Sequence, residues 1–145
     1  MNMKDVHSHT FIAGVIAPAT GNTDANTGAV DLAGFLSAEI LFSIGAATFT
    51  GANTIDVIVE HSDDGVAFSA VEADDILGAT VAAGGIVKTF DDSVGAHTAA
   101  GYRVGYKGGK RYVRVTLDVS GTPSAPHSVV VLAARPESTP ADDQI

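Results

Sequence analysis

The chain has 145 residues and a mass of 14.7 kDa, one domain's worth of protein and too little for a two-domain enzyme with a cleft between its halves. Seventeen acids against eight bases give a formal charge of -9, which argues against a general nucleic-acid binder and against adsorption to anionic membranes. Cysteine is absent, which excludes disulfides, thiolate nucleophiles and zinc–thiolate sites, and the 16 glycines without a tryptophan suit stacked sheets better than packed helices.

Met1 to His9 is polar and reads as an N-terminal arm, residues 1–9. No secretion signal is expected, because the apolar stretch from Phe11 to Ala17 is short and has no basic flank. No run is long enough to cross a bilayer as a helix. Thr10 to Ala17 is expected to form a first strand closed by Pro18. A polar loop from Thr20 to Gly28 and a short strand at Ala29 to Leu32 follow. From Ser37 the side chains alternate, with Ile40, Phe42 and Ile44 on one face and Glu39, Leu41 and Ser43 on the other.

Thr54 to His61 alternates in the same way, burying Ile55, Val57 and Val59. Ser62-Asp63-Asp64-Gly65 is a turn, since the Asp side chains can cap it and Gly65 tolerates positive φ. His61, just before it, is expected at the surface. Val66 to Val71 is expected as the return strand, anchored by Phe68. Asp74 to Leu77 fits either a strand fragment or one helical turn, and Ile86 to Phe90 reads as a strand after Gly84-Gly85.

Tyr102 to Leu117 predicts a hairpin turning at Gly108-Gly109, a pair with no steric objection to mirror-image turns. That register pairs Val104 with Val113 and Arg103 with Arg114, and lays Tyr112 across Gly105. It gathers Arg103, Lys107, Lys110, Tyr112 and Arg114 on one outward face, in a stretch that has no acid between residues 93 and 117. These five are the candidate partner-binding residues. Their repulsion calls for acids, supplied by the first 100 residues of the chain or by a partner. The first 100 residues hold thirteen acids and two bases, and residues 101–145 hold six bases and four acids. Ser128 to Ala134 is almost continuously apolar, as a central strand is. The domain is expected over residues 10–135 and a polar C-terminal tail over 136–145.

No segment carries a helical apolar stripe of useful length. About eight short strands give an all-β chain, a β-sandwich of jelly-roll type with a small barrel as the other closure. No GxSxG, HExxH or phosphate-cradling loop is present, so no catalytic residues, cofactors or enzymatic activity are expected. His7 and His9 could share a face, and Asp63-Asp64, Asp74-Asp75 and Asp91-Asp92 could converge on calcium. Solvated or capping roles are the commoner use of such residues, and no metal is expected.

Two stretches carry a resemblance: Val59 to Val71, VEHSDDGVAFSAV, and Gly105 to Val119, GYKGGKRYVRVTLDV. With VDLAGF at Val30 to Phe35 and the terminal VVVLAARPE, they resemble small virion structural proteins of tailed phages and prophages. The resemblance implies a capsid decoration protein or the base of a head spike, located on the capsid surface, with a neck or tail fitting as a variant. Its implied partners are the major capsid protein and its own copies in a symmetric trimer or pentamer, without nucleic acid or membrane. The same stretches are similar to discoidin-like carbohydrate-binding jelly rolls: Ser62, Asp64, Gly65 and Phe68 fit one hairpin motif and Arg111 to Val115 a strand motif. That similarity implies glycan binding as the alternative function.

Overall fold

The computed structural model describes residues 5–137. The first four residues of the expected N-terminal arm, and residues 138–145 of the expected tail, lie outside the described residues. The strands are β1 (Thr10–Thr20), β2 (Ala25–Asn26), β3 (Val30–Asp31), β4 (Phe35–Ile44), β5 (Ala47–Thr48), β6 (Thr54–Ser62) and β7 (Ser69–Ala70). They continue with β8 (Ile76–Leu77), β9 (Ile86–Phe90), β10 (Ala96–His97), β11 (Ala100–Tyr106), β12 (Tyr112–Ser120) and β13 (Pro126–Pro136).

One main sheet has the order β1-β13-β4-β11-β8, the other is built on β2-β12-β6-β7, with β3 also on β12 and β9 also on β6, and β5 and β10 pair in a small two-stranded sheet. Every pairing in both main sheets is antiparallel. Along the chain the path changes layer after β1, β3, β4 and β7, returns after β8, and changes again after β9, β11 and β12. This is a jelly roll: two antiparallel sheets closed over one core by connections that change layer.

The alternation read in the sequence decides which side chains fill that core. Ile40, Phe42, Val104, Val129 and Val131 of the first sheet face Ile55, Val57, Val59, Val113, Val115 and Leu117 of the second, and all are buried. Most are β-branched and present a short, stiff surface that suits a pleated sheet. Ser128 to Ala134 is the expected central strand, with β13 held between β1 and β4.

Four local expectations need correction. β1 does not stop at Pro18 but runs to Thr20, with its register slipping between Ile16 and Ala19. Proline is tolerated there because β1 is an edge strand and the slip absorbs the missing donor. The return strand at Val66 to Val71 shrinks to Ser69–Ala70. The Asp64 carboxylate accepts the N–H groups of Val66 and Ala67 at 2.8 and 2.9 Å, the donors a longer strand would need. Phe68 is half-buried under the Arg114 guanidinium, 4.2 Å from its ring centre, and is not a core anchor. His61 is buried, not at the surface, because it takes an inward position opposite Val113. Ala73–Asp75 forms a 3-10 turn leading straight into β8, so both readings of that segment occur in succession.

The largest correction concerns the expected hairpin. β11 pairs with β4 and β8, whereas β12 pairs with β6, β2 and β3, so the two strands lie in different sheets. Residues 107–111 arch between the layers. The arch is tied to the turn that leads into β8 by the Lys107 N–H donating to Asp75 O at 2.9 Å, and to the residue that follows β3 by the Leu32 N–H donating to Arg111 O at 2.8 Å. Gly108 is needed because the Tyr106 ring folds back beneath it: a Cβ there would sit 2.5 Å from the Tyr106 hydroxyl oxygen. Tyr112 therefore lies against Gly65, not across Gly105.

Candidate functional site

The outer face of the five-stranded sheet gathers exposed and half-buried apolar side chains. Register places its outward side chains in rows across the strands. One row runs Ile12, Leu132, Glu39, Gly105 and Leu77, and the next Val15, Val130, Leu41 and Arg103. A third holds Ser128, Ser43 and Gly101. Ile12, Val15 and Leu77 are exposed and Leu41, Val130 and Leu132 half-buried, and among the described residues no strand or turn forms a layer above them. A groove of ≈ 420 Å³ crosses this face between Leu41, Ser43, Val130, Ser128, Gly101 and Arg103. Its polar groups are already partnered among themselves. The Ser43 and Ser128 hydroxyls are 2.7 Å apart, and Arg103 Nη1 lies 3.5 Å from Glu39 Oε1. Gly105 makes room for this, since a Cβ there would stand 3.3 Å from both Glu39 Oε2 and Leu77 Cβ.

The five residues expected to share one basic face are divided. Arg103 alone lies on the outer face of the first sheet, and Lys107 and Lys110 sit in the arch. Tyr112 and Arg114 project from the outer face of the second sheet. Of the two sources of compensating acid, the structure uses the chain's own first 100 residues. Lys110 Nζ meets Asp63 Oδ2 at 2.7 Å, and Arg114 Nη2 meets Glu60 Oε2 at 2.7 Å. Arg111, which was not among the five, forms a two-pronged pair with Asp31 at 2.9 and 2.8 Å and covers the Tyr112 ring at 5.1 Å. The bipolar charge of the sequence is thus internally matched on these strands.

These partners shift the acids. Hydrogen bonds from Arg111, and then the Ala33 N–H, hold the Asp31 carboxyl down at about 2. The N–H groups of Val66 and Ala67 and the Ser62 hydroxyl hold Asp64 at about 2 as well. A carboxylate whose folded pKa is depressed adds stability above the unfolded value and loses it as pH falls through the folded one. Stability is therefore expected to decline from about pH 4 toward pH 2. Asp31→Asn should lower the melting temperature at pH 7 and flatten that decline. An unchanged acid limb in a pH series of thermal melts would reject Asp31 as a contributor. Because the pair is exposed, the effect should also shrink with added salt.

The acidic pairs do not converge. Asp63 serves Lys110, Asp64 caps its own turn, Asp75 accepts from the Glu72 N–H, and Asp91 accepts from the Ser93 N–H. Among the described residues no group of three or more His, Asp or Glu is placed to hold a metal ion. His7 and His9 lie in a 3-10 turn before β1.

The apolar face was not picked out from the sequence, although its signal was there. Leu41 interrupts the polar side of β4 between Glu39 and Ser43, and Val130 and Leu132 make β13 apolar on both sides. That pattern predicts cover on both faces, and only the fold reveals that no described residue forms a layer over one of them.

No family model matches the chain, and no curated protein matches it. Among solved structures, it is similar to endo-1,4-beta-D-xylanase 10B of Clostridium thermocellum, CBM22-1 and GH10 modules complexed with xylohexaose. That match has 14% identity and a TM-score of 0.43, covering 76% of this chain and 19% of that one. It is also similar to a glycoside hydrolase family 43 arabinoxylan arabinofuranohydrolase from Bacillus subtilis in complex with cellotetraose. There the identity is 15% and the TM-score 0.35, over 82% of this chain and 20% of that one. The chain thus spans about a fifth of either protein. A third is the N-terminal cellulose-binding domain of beta-1,4-glucanase C from Cellulomonas fimi, at 5% identity and a TM-score of 0.34, covering 91% of this chain and 81% of that one.

Proposed function

We propose that the chain is a non-catalytic structural module that works by protein–protein contact through the outer face of its five-stranded sheet. The observation behind this is the pair of apolar rows from Ile12 to Leu77 and from Val15 to Arg103, which no layer of the described residues covers. Contiguous apolar surface of this kind is what protein partners cover. The non-catalytic reading is supported by the acids: Glu39 is the one carboxylate within those rows, and it is paired with Arg103. Attachment to a phage capsid through the major capsid protein, as decoration or spike base, is the most specific form of this reading. It rests on the resemblance of Val59 to Val71 and Gly105 to Val119, together with Val30 to Phe35 and the terminal VVVLAARPE, and on no other observation.

Carbohydrate binding is the second reading, favoured by the groove, where Ser43, Ser128 and Arg103 flank Leu41 and Val130 as hydrogen-bonding edges. Two of the fold neighbours are described in complexes with xylohexaose and cellotetraose. Against it, no aromatic side chain stands among the outward positions of these rows, and the Tyr102 ring beside the groove stacks on Phe42 at 5.3 Å. Aromatic rings give large rigid contact area at low entropic cost, and their absence weakens any sugar platform. Co-sedimentation of the tagged protein with tailed-phage particles, run beside a glycan array, separates the readings. Binding to particles that is lost in Val130→Lys supports protein contact. Binding to glycans alone, lost in Arg103→Ala, replaces it with the carbohydrate reading.

A further inference from the structure

Taking the protein-contact reading as its basis, we infer that the partner on this face is a second copy of the chain, packed sheet against sheet around a two-fold axis. Charge is the first argument. The chain carries -9, so two copies repel on approach unless they meet where that charge is absent. The rows on the first sheet contain one acid and one base, Glu39 and Arg103, and are neutral in sum. The outward side of the second sheet carries Asp31, Asp56, Glu60 and Asp118 against Arg114 and the neighbouring Arg111. Two copies meeting there would bring like charge together, and two meeting on the first sheet would not.

Size is the second. Four long strands at about 4.8 Å spacing, overlapping for about eight residues at roughly 3.3 Å each, give a face of about 19 by 26 Å. Two such faces bury about 1,000 Å² in projection, the lower bound for a specific interface. The contact would be sheet-on-sheet, with layers about 10 Å apart as inside the sandwich itself.

Self-complementarity is the third. A two-fold contact places the same patch on both sides, so each group must tolerate its own symmetry mate's neighbourhood. The Arg103–Glu39 pair does: within its own chain it is long, at 3.5 Å, and Arg103 remains 80% exposed. A guanidinium with donors to spare, on a face that also carries a carboxylate, can serve the Glu39 of the opposite copy while apolar rows close around it. Val15, Leu41, Val130 and Leu132 then supply the buried area.

Sedimentation velocity on the full chain, from about 1 to about 200 µM, tests the inference through the concentration dependence of mass. A monomer–dimer equilibrium is expected. Val130→Lys should weaken it at least tenfold, and Arg103→Glu should weaken it by setting four acids face to face. The exchange Arg103→Glu with Glu39→Arg should restore association to within a few-fold of wild type. Circular dichroism and thermal melts check that each variant is folded, and Val130→Thr, closer in shape, replaces the lysine variant if that one is not. Three outcomes would overturn the inference: a monomer throughout the range, a dimer indifferent to Val130 and Arg103, or a trimer or pentamer. A monomer that still co-sediments with particles, and loses this in Val130→Lys, would remove the second copy and leave the protein-contact reading standing. A monomer that binds neither particles nor any other protein would remove both.

Discussion

Gly85→Ala is expected to destabilise the protein by about 3–5 kcal/mol, enough to lower its melting temperature by roughly 10 °C in a chain of this length. Gly84→Ala, one residue earlier, should cost only about 1–2 kcal/mol. Both glycines have φ near +80°, at 82° and 81°, so both alanines suffer the same backbone penalty. The surroundings differ. A Cβ on Gly84 meets open space, whereas one on Gly85 would sit 2.5 Å from the carbonyl oxygen of Val59. That oxygen belongs to the backbone of β6 in the middle of the second sheet, and the Val59 N–H donates to Gly85 O at 2.9 Å. Relieving the clash would push β9 away from β6 and loosen that bond. Equal losses for the two variants in urea titration would show that left-handed backbone alone, and not the close approach to β6, makes glycine necessary at 85.

Tyr106→Phe is expected to cost about 1–3 kcal/mol, although it removes a single oxygen. The hydroxyl lies 3.1 Å from Nδ1 of His61, and both residues are buried between the sheets. Burial, with the Asp75 and Asp63 carboxylates adding to it, pushes the phenol up to about 12, so it stays neutral across the working range. Without it, His61 Nδ1 keeps, among the described residues, Asp75 Oδ2 at 3.9 Å, too far for a hydrogen bond. An unsatisfied buried group costs its full desolvation, while removing both members of a pair can be nearly neutral. The double variant Tyr106→Phe with His61→Phe should therefore be more stable than the two single losses added together. Strict additivity in the double-mutant cycle would mean that the Tyr106 hydroxyl and His61 act independently.

The behaviour of β11 and β12 shows how far local pattern reaches. The sequence places Val104 and Tyr106 inward with Arg103 outward, and Val113, Val115 and Leu117 inward with Arg114 outward. The structure keeps every one of those assignments. It rejects the pairing between the two strands. A jelly roll changes layer at this connection, so the fold class read from the strand count was itself at odds with a hairpin here. Gly108-Gly109 does not discriminate, because a mirror-image turn favours the pair and the arch over the Tyr106 ring needs glycine at 108.

The same division runs through the charged residues. Excess acid in the first 100 residues and excess base afterwards is a property of composition. Which base meets which acid depends on register. Arg114 faces Glu60 across β12 and β6, and Arg103 sits one row from Glu39 across β11 and β4. Separations of 54 and 64 residues lie beyond any local rule.

By itself, the sequence determined the all-β class, the inward and outward faces of the long strands, and the Ser62 to Gly65 turn. Each follows from side-chain period or from hydrogen bonds reaching only two or three residues along the chain. Tertiary structure alone decided that β11 and β12 part company, that His61 is enclosed with Tyr106, and that Leu41, Val130 and Leu132 have no covering layer among the described residues. The physical reason is that a strand's alternation is set by its own backbone, whereas its hydrogen-bonding neighbour, and whatever lies across its other face, is chosen by how the whole chain closes on a single core.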